Sequence, residues 1–295
     1  MYEFGNDDLV SALVAFPDAT EITTVSLELA GDPRKVDQLS PDQLANELAE
    51  FRREIGGLIW VGSNLSTNLS GQQGLHIAAQ LSSHLLGMAT GGYEPVSARF
   101  FALDDDGAIH YFEQDEVDAD KKSGHSLSSQ WRDPAFAQTF GNVEITYRAI
   151  GSTDTRVFRH IGWNLGNDYL TKHTGLIKHL ETKGMVAILV KGASYLLWLD
   201  DFSMFRQFLI DHLAWMITDS TGLAPNYADA AGTLEQVAYG KFDGPPSAVG
   251  GMAGKPGDKA CRKKWAASTE KMPFRFGYLD AVGHAHTMIT TRKAK

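Results

Sequence analysis

Cysteine is almost absent: the 295 residues contain one, Cys261. A single thiol excludes an internal disulfide framework and any cysteine-rich zinc or iron–sulfur site. It leaves the compartment open, because exported proteins also do without disulfides. Basic charge is scarce as well. With 27 Lys and Arg against 36 Asp and Glu, the formal net charge is −9. Phosphate backbones call for a basic face, so no nucleic acid is expected as a partner. Long apolar runs are missing too. No stretch reaches the roughly 18 residues of a membrane span, so no transmembrane segment is expected. The longest candidate, Met185 to Leu199, is interrupted by Lys191-Gly192 and ends at Asp200-Asp201. The opening residues Met1-Tyr2-Glu3-Phe4-Gly5 run into Asn6-Asp7-Asp8, with no basic and apolar leader. The expectation is an exported protein, periplasmic or extracellular, if a signal peptide was removed, and otherwise a cytoplasmic one.

What the chain does have is a packing composition. Hydrophobic residues make up 43% and charged residues 21%, which excludes disorder and coiled coil as the dominant state. A chain of this length buries enough apolar surface to need no staple. It reads as one compact domain over 1–295, with a Gly/Pro-rich loop at about 240–258.

Periodicity sets the elements. Glu21 to Leu29 alternates like a half-buried strand. Ser40-Pro41 opens a helix carrying Leu44, Leu48, Phe51 and Ile55, which Gly56-Gly57 is expected to stop. His76 to Met88 reads as a helix. Val96–Leu103 and Ala108–Phe112 flank Asp104-Asp105-Asp106-Gly107, a hairpin signal. Residues 113–129 read as a charged loop. Residues 142–150 and 156–163 form a strand pair, and Asp168 to Lys183 a helix. Met185 to Val190 is a buried strand, resuming at Tyr195 to Leu199. Phe202 to Thr218 shows a helical apolar stripe. Thr233 to Tyr239 is a strand, Lys259 to Ala267 a short helix, and Phe274–Leu279 with His286–Thr291 a closing hairpin. Strict βαβ alternation fails, so the expected class is α/β (α+β), a mixed β-sheet with helices packed on it.

Several clusters carry possible chemistry. Gly124-His125-Ser126 approaches the hydrolase elbow G-x-S-x-G, but no strand leads into it. Gly192-Ala193-Ser194-Tyr195 follows an apolar strand and lacks the second glycine. A kink at Gly192 competes there with an exposed nucleophile. Ser194 or Ser220 as nucleophile, His212 as base and Asp219 or Asp201 as its orienting carboxylate would make a serine hydrolase of esters or lactones. His212 also fits a packed helix stripe. Asp219-Ser220-Thr221-Gly222 is either a satisfied chain turn or a rigid polar corner at a pocket mouth. Asp104, Asp106 and Glu113 fall at EF-hand positions for calcium, although Ala102 stands where the first ligand belongs. His284 and His286 would share one strand face, as two of a metal's ligands would. Asn64-Leu65-Ser66 and Asn68-Leu69-Ser70 match the glycosylation sequon and equally suit turns.

Lys191-Gly192-Ala193-Ser194-Tyr195-Leu196-Leu197, Asp201-Phe202-Ser203 with Arg206, and Asp219-Ser220-Thr221-Gly222 together resemble a family of uncharacterised bacterial proteins, often exported. The Phe16-Pro17-Asp18-Ala19 turn and Pro273-Phe274-Arg275-Phe276-Gly277-Tyr278 belong to the same likeness. The resemblance implies a basic residue near the loop after Gly222, where this chain has Asn226. It implies an architecture and export, and no activity. Two functions follow as expectations. One is a small-molecule-binding or interaction protein. The other is a hydrolase, serine-based or metal-dependent.

Overall fold

The computed structural model describes residues 2–3, 9–26, 29–61, 79–119, 138–190, 195–245, 251–271 and 285–294. Its contacts divide the chain into two compact units, essentially residues 4–164 and 165–295, where the sequence reads as a single domain. Each unit is α/β. Parallel and antiparallel strand pairs share a sheet, and helices pack on it. Among the described residues no helix is long and apolar enough to cross a membrane.

The first unit contains α1 (Leu9–Ala15), β1 (Glu21–Ser26), α2 (Pro41–Val61), α3 (Ala79–Thr90), β2 (Tyr93–Leu103), β3 (Ile109–Tyr111), α4 (Gln114–Ala119), β4 (Asn142–Ala149) and β5 (Thr155–Gly162). The strands lie in the order β3-β2-β4-β5-β1, and only β5 with β1 is parallel. Register explains the two faces. Ala98, Ile145, Phe158 and Ile22 stand in one row, and Ile145, Phe158 and Ile22 are buried. The neighbouring row is Arg99, Glu144, Arg159 and Thr23. There Glu144 takes Arg99 and Arg159, each at 2.7 Å, and the Tyr111 hydroxyl at 2.6 Å. Burial alone would raise the Glu144 pKa. Hydrogen bonds from Tyr111 and Arg99 and the charge of Arg159 outweigh it and hold the carboxyl below its ordinary range.

The second unit contains α5 (Gly175–Glu181), β6 (Val186–Val190), α6 (Ser203–His212), β7 (Leu213–Thr218), α7 (Pro225–Ala231), β8 (Leu234–Gly240), α8 (Pro256–Ala266) and β9 (His286–Arg292). Its strand order is β6-β7-β9-β8, parallel between β6 and β7 and antiparallel elsewhere. On one face of β8 and β9, Ala238 and Met288 join Tyr195, Trp198, Ala224, Phe242, Cys261 and Trp265 in an apolar cluster. The inward side of α8 supplies Cys261 and Trp265. Gly257 is dictated by the same contact, since a Cβ there would lie 2.6 Å from the Trp198 indole.

Several elements differ from expectation. The helix anticipated over Phe202 to Thr218 stops at His212, and Leu213–Thr218 is a strand between β6 and β9. Its residues also satisfy a two-residue alternation, and long-range pairing decides between the periods. Tyr195 to Leu199 is a 3-10 turn at Leu196–Trp198 rather than a strand. The helix expected over 168–183 is two short ones, Asn167–Leu170 and Gly175–Glu181. Helix α2 runs on through Gly56-Gly57, and α4 occupies part of the expected charged loop. Strand β9 pairs with β7 and β8. Its anticipated partner, Phe274–Leu279, lies outside the described residues, as do the two sequons and Gly124-His125-Ser126.

Candidate functional site

The second unit assembles a buried polar cluster around Ser220. Strand β7 ends at Thr218, and the chain turns through Asp219-Ser220-Thr221-Gly222. The Asp219 carboxylate accepts from the Thr221 backbone N–H at 2.7 Å and from the Thr221 hydroxyl. This is an Asx-type turn that closes locally. Gly222 is required by packing: a Cβ would lie 2.0 Å from Thr218 Oγ1. The antiparallel ladder ends at the pair Met288–Thr218, and just beyond it His286 and Ser220 meet through their side chains. His286 Nε2 lies 2.8 Å from Ser220 Oγ, and the Tyr195 hydroxyl 3.1 Å from it on another side. With Tyr195 donating to Ser220, the serine hydroxyl is left to donate to His286.

The cluster is enclosed. Ser220 and His286 are each 1% exposed, Asp219 0% and Tyr195 3%. Phe242 and Trp265 flank the His286 ring, with centroids 5.1 and 5.4 Å away. Burial pushes the Tyr195 phenol far above its ordinary value, and the negative charge of Asp219 adds to the rise. Burial likewise raises the Cys261 thiol, with Asp258 and Asp219 contributing. Tyr195 is therefore a neutral hydrogen-bonding group and Cys261 a packed thiol, not a poised nucleophile.

The residues singled out from sequence fall in different places. Ser220 and Asp219 are adjacent in the buried corner. Ser194 lies outside the described residues. His212 ends α6, where its Nδ1 is 3.0 Å from the Phe208 carbonyl and its ring stacks on Phe208 at 4.4 Å. The imidazole beside Ser220 is that of His286. Asp201 is exposed in a 3-10 turn. Residues 218–225 are buried throughout, so the corner lies in the interior. Arg206 caps the 3-10 turn from below, donating to the Leu197 and Leu199 carbonyls at 2.8 and 2.9 Å, with its guanidinium over the Tyr227 ring.

Asp104 and Asp106 sit in the β2–β3 turn. There the Asp106 carboxylate accepts from the Ala108 N–H at 3.1 Å. The Glu113 backbone N–H donates to Glu116 as α4 begins. Among the described residues no three His, Cys, Asp or Glu side chains come together as a metal site. The sequence reading missed Tyr195 as a partner of Ser220 and weighed His286 only as a metal ligand. The one signal available was the alternation of His286, Met288 and Thr290 on one strand face. No protein-family model, curated protein or solved structure matches this chain.

Proposed function

We propose that this is a binding or interaction protein that carries out no catalysis. The observation that carries the reading is the enclosure of Ser220. Ser220 is 1% exposed, and its hydroxyl is engaged by both Tyr195 and His286. An acyl-transfer nucleophile needs room for a carbonyl carbon within about 3–3.5 Å and donors for the oxyanion. Here Ser220 is buried, and its hydroxyl meets Tyr195, a member of the apolar cluster, and His286. The Tyr195–Ser220–His286 chain instead ties the end of β7 to the start of β9 and to the 3-10 turn. That stiffens a scaffold whose surface does the binding. The likeness to exported bacterial proteins belongs to this proposal and supplies no mechanism.

One observation favours a second reading, a hydrolase of esters or lactones with Ser220 as nucleophile. The 2.8 Å contact between Ser220 Oγ and His286 Nε2 is the nucleophile–base contact that such chemistry uses. A fluorophosphonate probe on the folded full chain separates the two. The binding reading expects no labelled serine. Covalent labelling that Ser220→Ala removes, with the melting temperature retained, would replace it with the hydrolase.

A further inference from the structure

Helix α8 presents opposite properties on its two sides. Gly257, Asp258, Cys261 and Trp265 are buried, while Lys255 at the helix start and Lys259, Arg262 and Lys263 along it are exposed. The one acid among them, Asp258, turns inward and pairs with Arg262 at 2.8 Å. Lys255, Lys259 and Lys263 follow at four-residue spacing, so they stand in one row as like charges. None of the three has a carboxylate within ion-pair distance among the described residues. A favourable helix dipole accounts for Lys263 and Lys264 in the last turn. It works against Lys255 and Lys259, which stand at the positive end. This row gathers cations in a chain whose net charge is −9.

The first unit carries the reverse. Between residues 104 and 119 there are seven acids, Asp104, Asp105, Asp106, Glu113, Asp115, Glu116 and Asp118, with no Lys or Arg. All seven are exposed, in the β2–β3 turn, at Glu113 just before α4, and on α4, where Glu116 pairs with His110 at 3.4 Å. The dipole of α4 suits Asp115 and Glu116 in its first turn and disfavours Asp118 in its last.

We infer that the basic outer face of α8 docks on the acidic 104–118 segment of a second copy of this chain. Charge complementarity identifies the occupant, because every copy brings both surfaces. Charges more than about 8 Å apart are screened at physiological ionic strength. The local row, rather than the overall −9, therefore governs the contact. A polyanion such as nucleic acid or an anionic lipid surface would meet the basic row alone and make no use of the acidic segment. The contact joins two different surfaces, so it closes reciprocally in a dimer or extends into a longer assembly. This inference is independent of the reading of Ser220 and can fail without it.

Sedimentation velocity on the full chain over a concentration series tests it, at about 50 mM and about 500 mM NaCl, below and above physiological screening. Association is expected at the lower salt, weakened by about tenfold or more at the higher, since it rests on charge. Lys259→Glu with Lys263→Glu should abolish it, as should Asp115→Lys with Asp118→Lys, and mixing the two variants should restore it. A wild-type chain that stays monomeric at low salt overturns the inference, as does association indifferent to salt. Loss in the lysine variant alone, with the aspartate variant associating normally, also overturns it, because α8 would then serve another partner. Circular dichroism monitors folding of the variants. If either unfolds, the wild-type salt series decides.

Discussion

Each unit buries a histidine against its sheet, and the two are held in different ways. In the first unit His84, on α3, is 0% exposed. The Gln80 side-chain amide donates to its Nε2 at 3.0 Å. Its ring lies 4.6 Å from Phe158 and 4.9 Å from His160, a second imidazole. His160 Nδ1 is 3.1 Å from Thr24 Oγ1, whose own hydroxyl donates to the Arg159 carbonyl at 3.3 Å. In the second unit His286 meets a hydroxyl that also hydrogen-bonds a tyrosine, between two aromatic rings. Both rings are buried. They differ in what Nε2 meets, the Gln80 amide in one and the Ser220 hydroxyl with Tyr195 behind it in the other. A connected imidazole orders the elements that meet at it. A buried one is tolerated while neutral and becomes a weak point when charged.

Four measurements would break or sharpen that contrast. The largest effect is expected from Trp265→Ala, which removes the wall beside His286 and opens the apolar cluster of the second unit. A loss of about 3–5 kcal/mol in urea unfolding is expected. A loss under about 1 kcal/mol would mean the aromatic enclosure is dispensable.

Acid comes next. Burial, with the neighbouring His160 adding to it, lowers the His84 pKa well below the ordinary value of 6.5. Between that value and the depressed folded one, the unfolded chain binds a proton that the native chain does not. Stability should therefore fall as pH drops below 6.5, by about 1.4 kcal/mol per pH unit from this one site. His84→Leu should remove that share of the slope, leaving the carboxylate contribution at lower pH. Equal slopes for wild type and variant between about pH 6.5 and 5, the window that starts at the unfolded value, would show that His84 does not govern it.

Ser220→Ala takes away the hydroxyl that links Tyr195 to His286. It leaves two buried polar groups without that partner, for a loss of about 1–3 kcal/mol by thermal unfolding. Tyr195→Phe removes only one donor and should cost about 1 kcal/mol. The same substitution tests burial directly. Ordinary tyrosines ionise near pH 10, and Tyr195 should not titrate with them. The ultraviolet titration curve near that pH should therefore be unchanged in the variant.

Some of this could be read directly from the residues. The hairpin at Asp104-Asp105-Asp106-Gly107 follows from turn chemistry flanked by alternating strands, and it forms with Leu103 opposite Ile109. A short helix over Lys259 to Ala267 was legible, and α8 covers it but starts at Pro256, inside the stretch that reads as a Gly/Pro-rich loop. The stretch from Met185 to Thr218 does supply much of the interior, with Ile188, Leu189, Val190, Leu197, Phe205, Leu209, Leu213 and Met216 buried. Leu213–Thr218 was not legible. Six residues of mixed apolar character satisfy both helical and strand spacing, and only β6 and β9 on either side settle which holds.

The sequence by itself determined composition, net charge and the elements whose local signals agree, such as the hairpin at Asp104–Gly107, because those depend on side chains within a few residues of one another. It marked Asp219-Ser220-Thr221-Gly222 as a corner and left the function of that corner open. Tertiary structure alone decided that the corner is interior and that its imidazole is His286, 66 residues away, rather than His212. The physical reason is register. A strand pairing between β7 and β9 fixes which distant side chains face each other, and no local pattern encodes that choice.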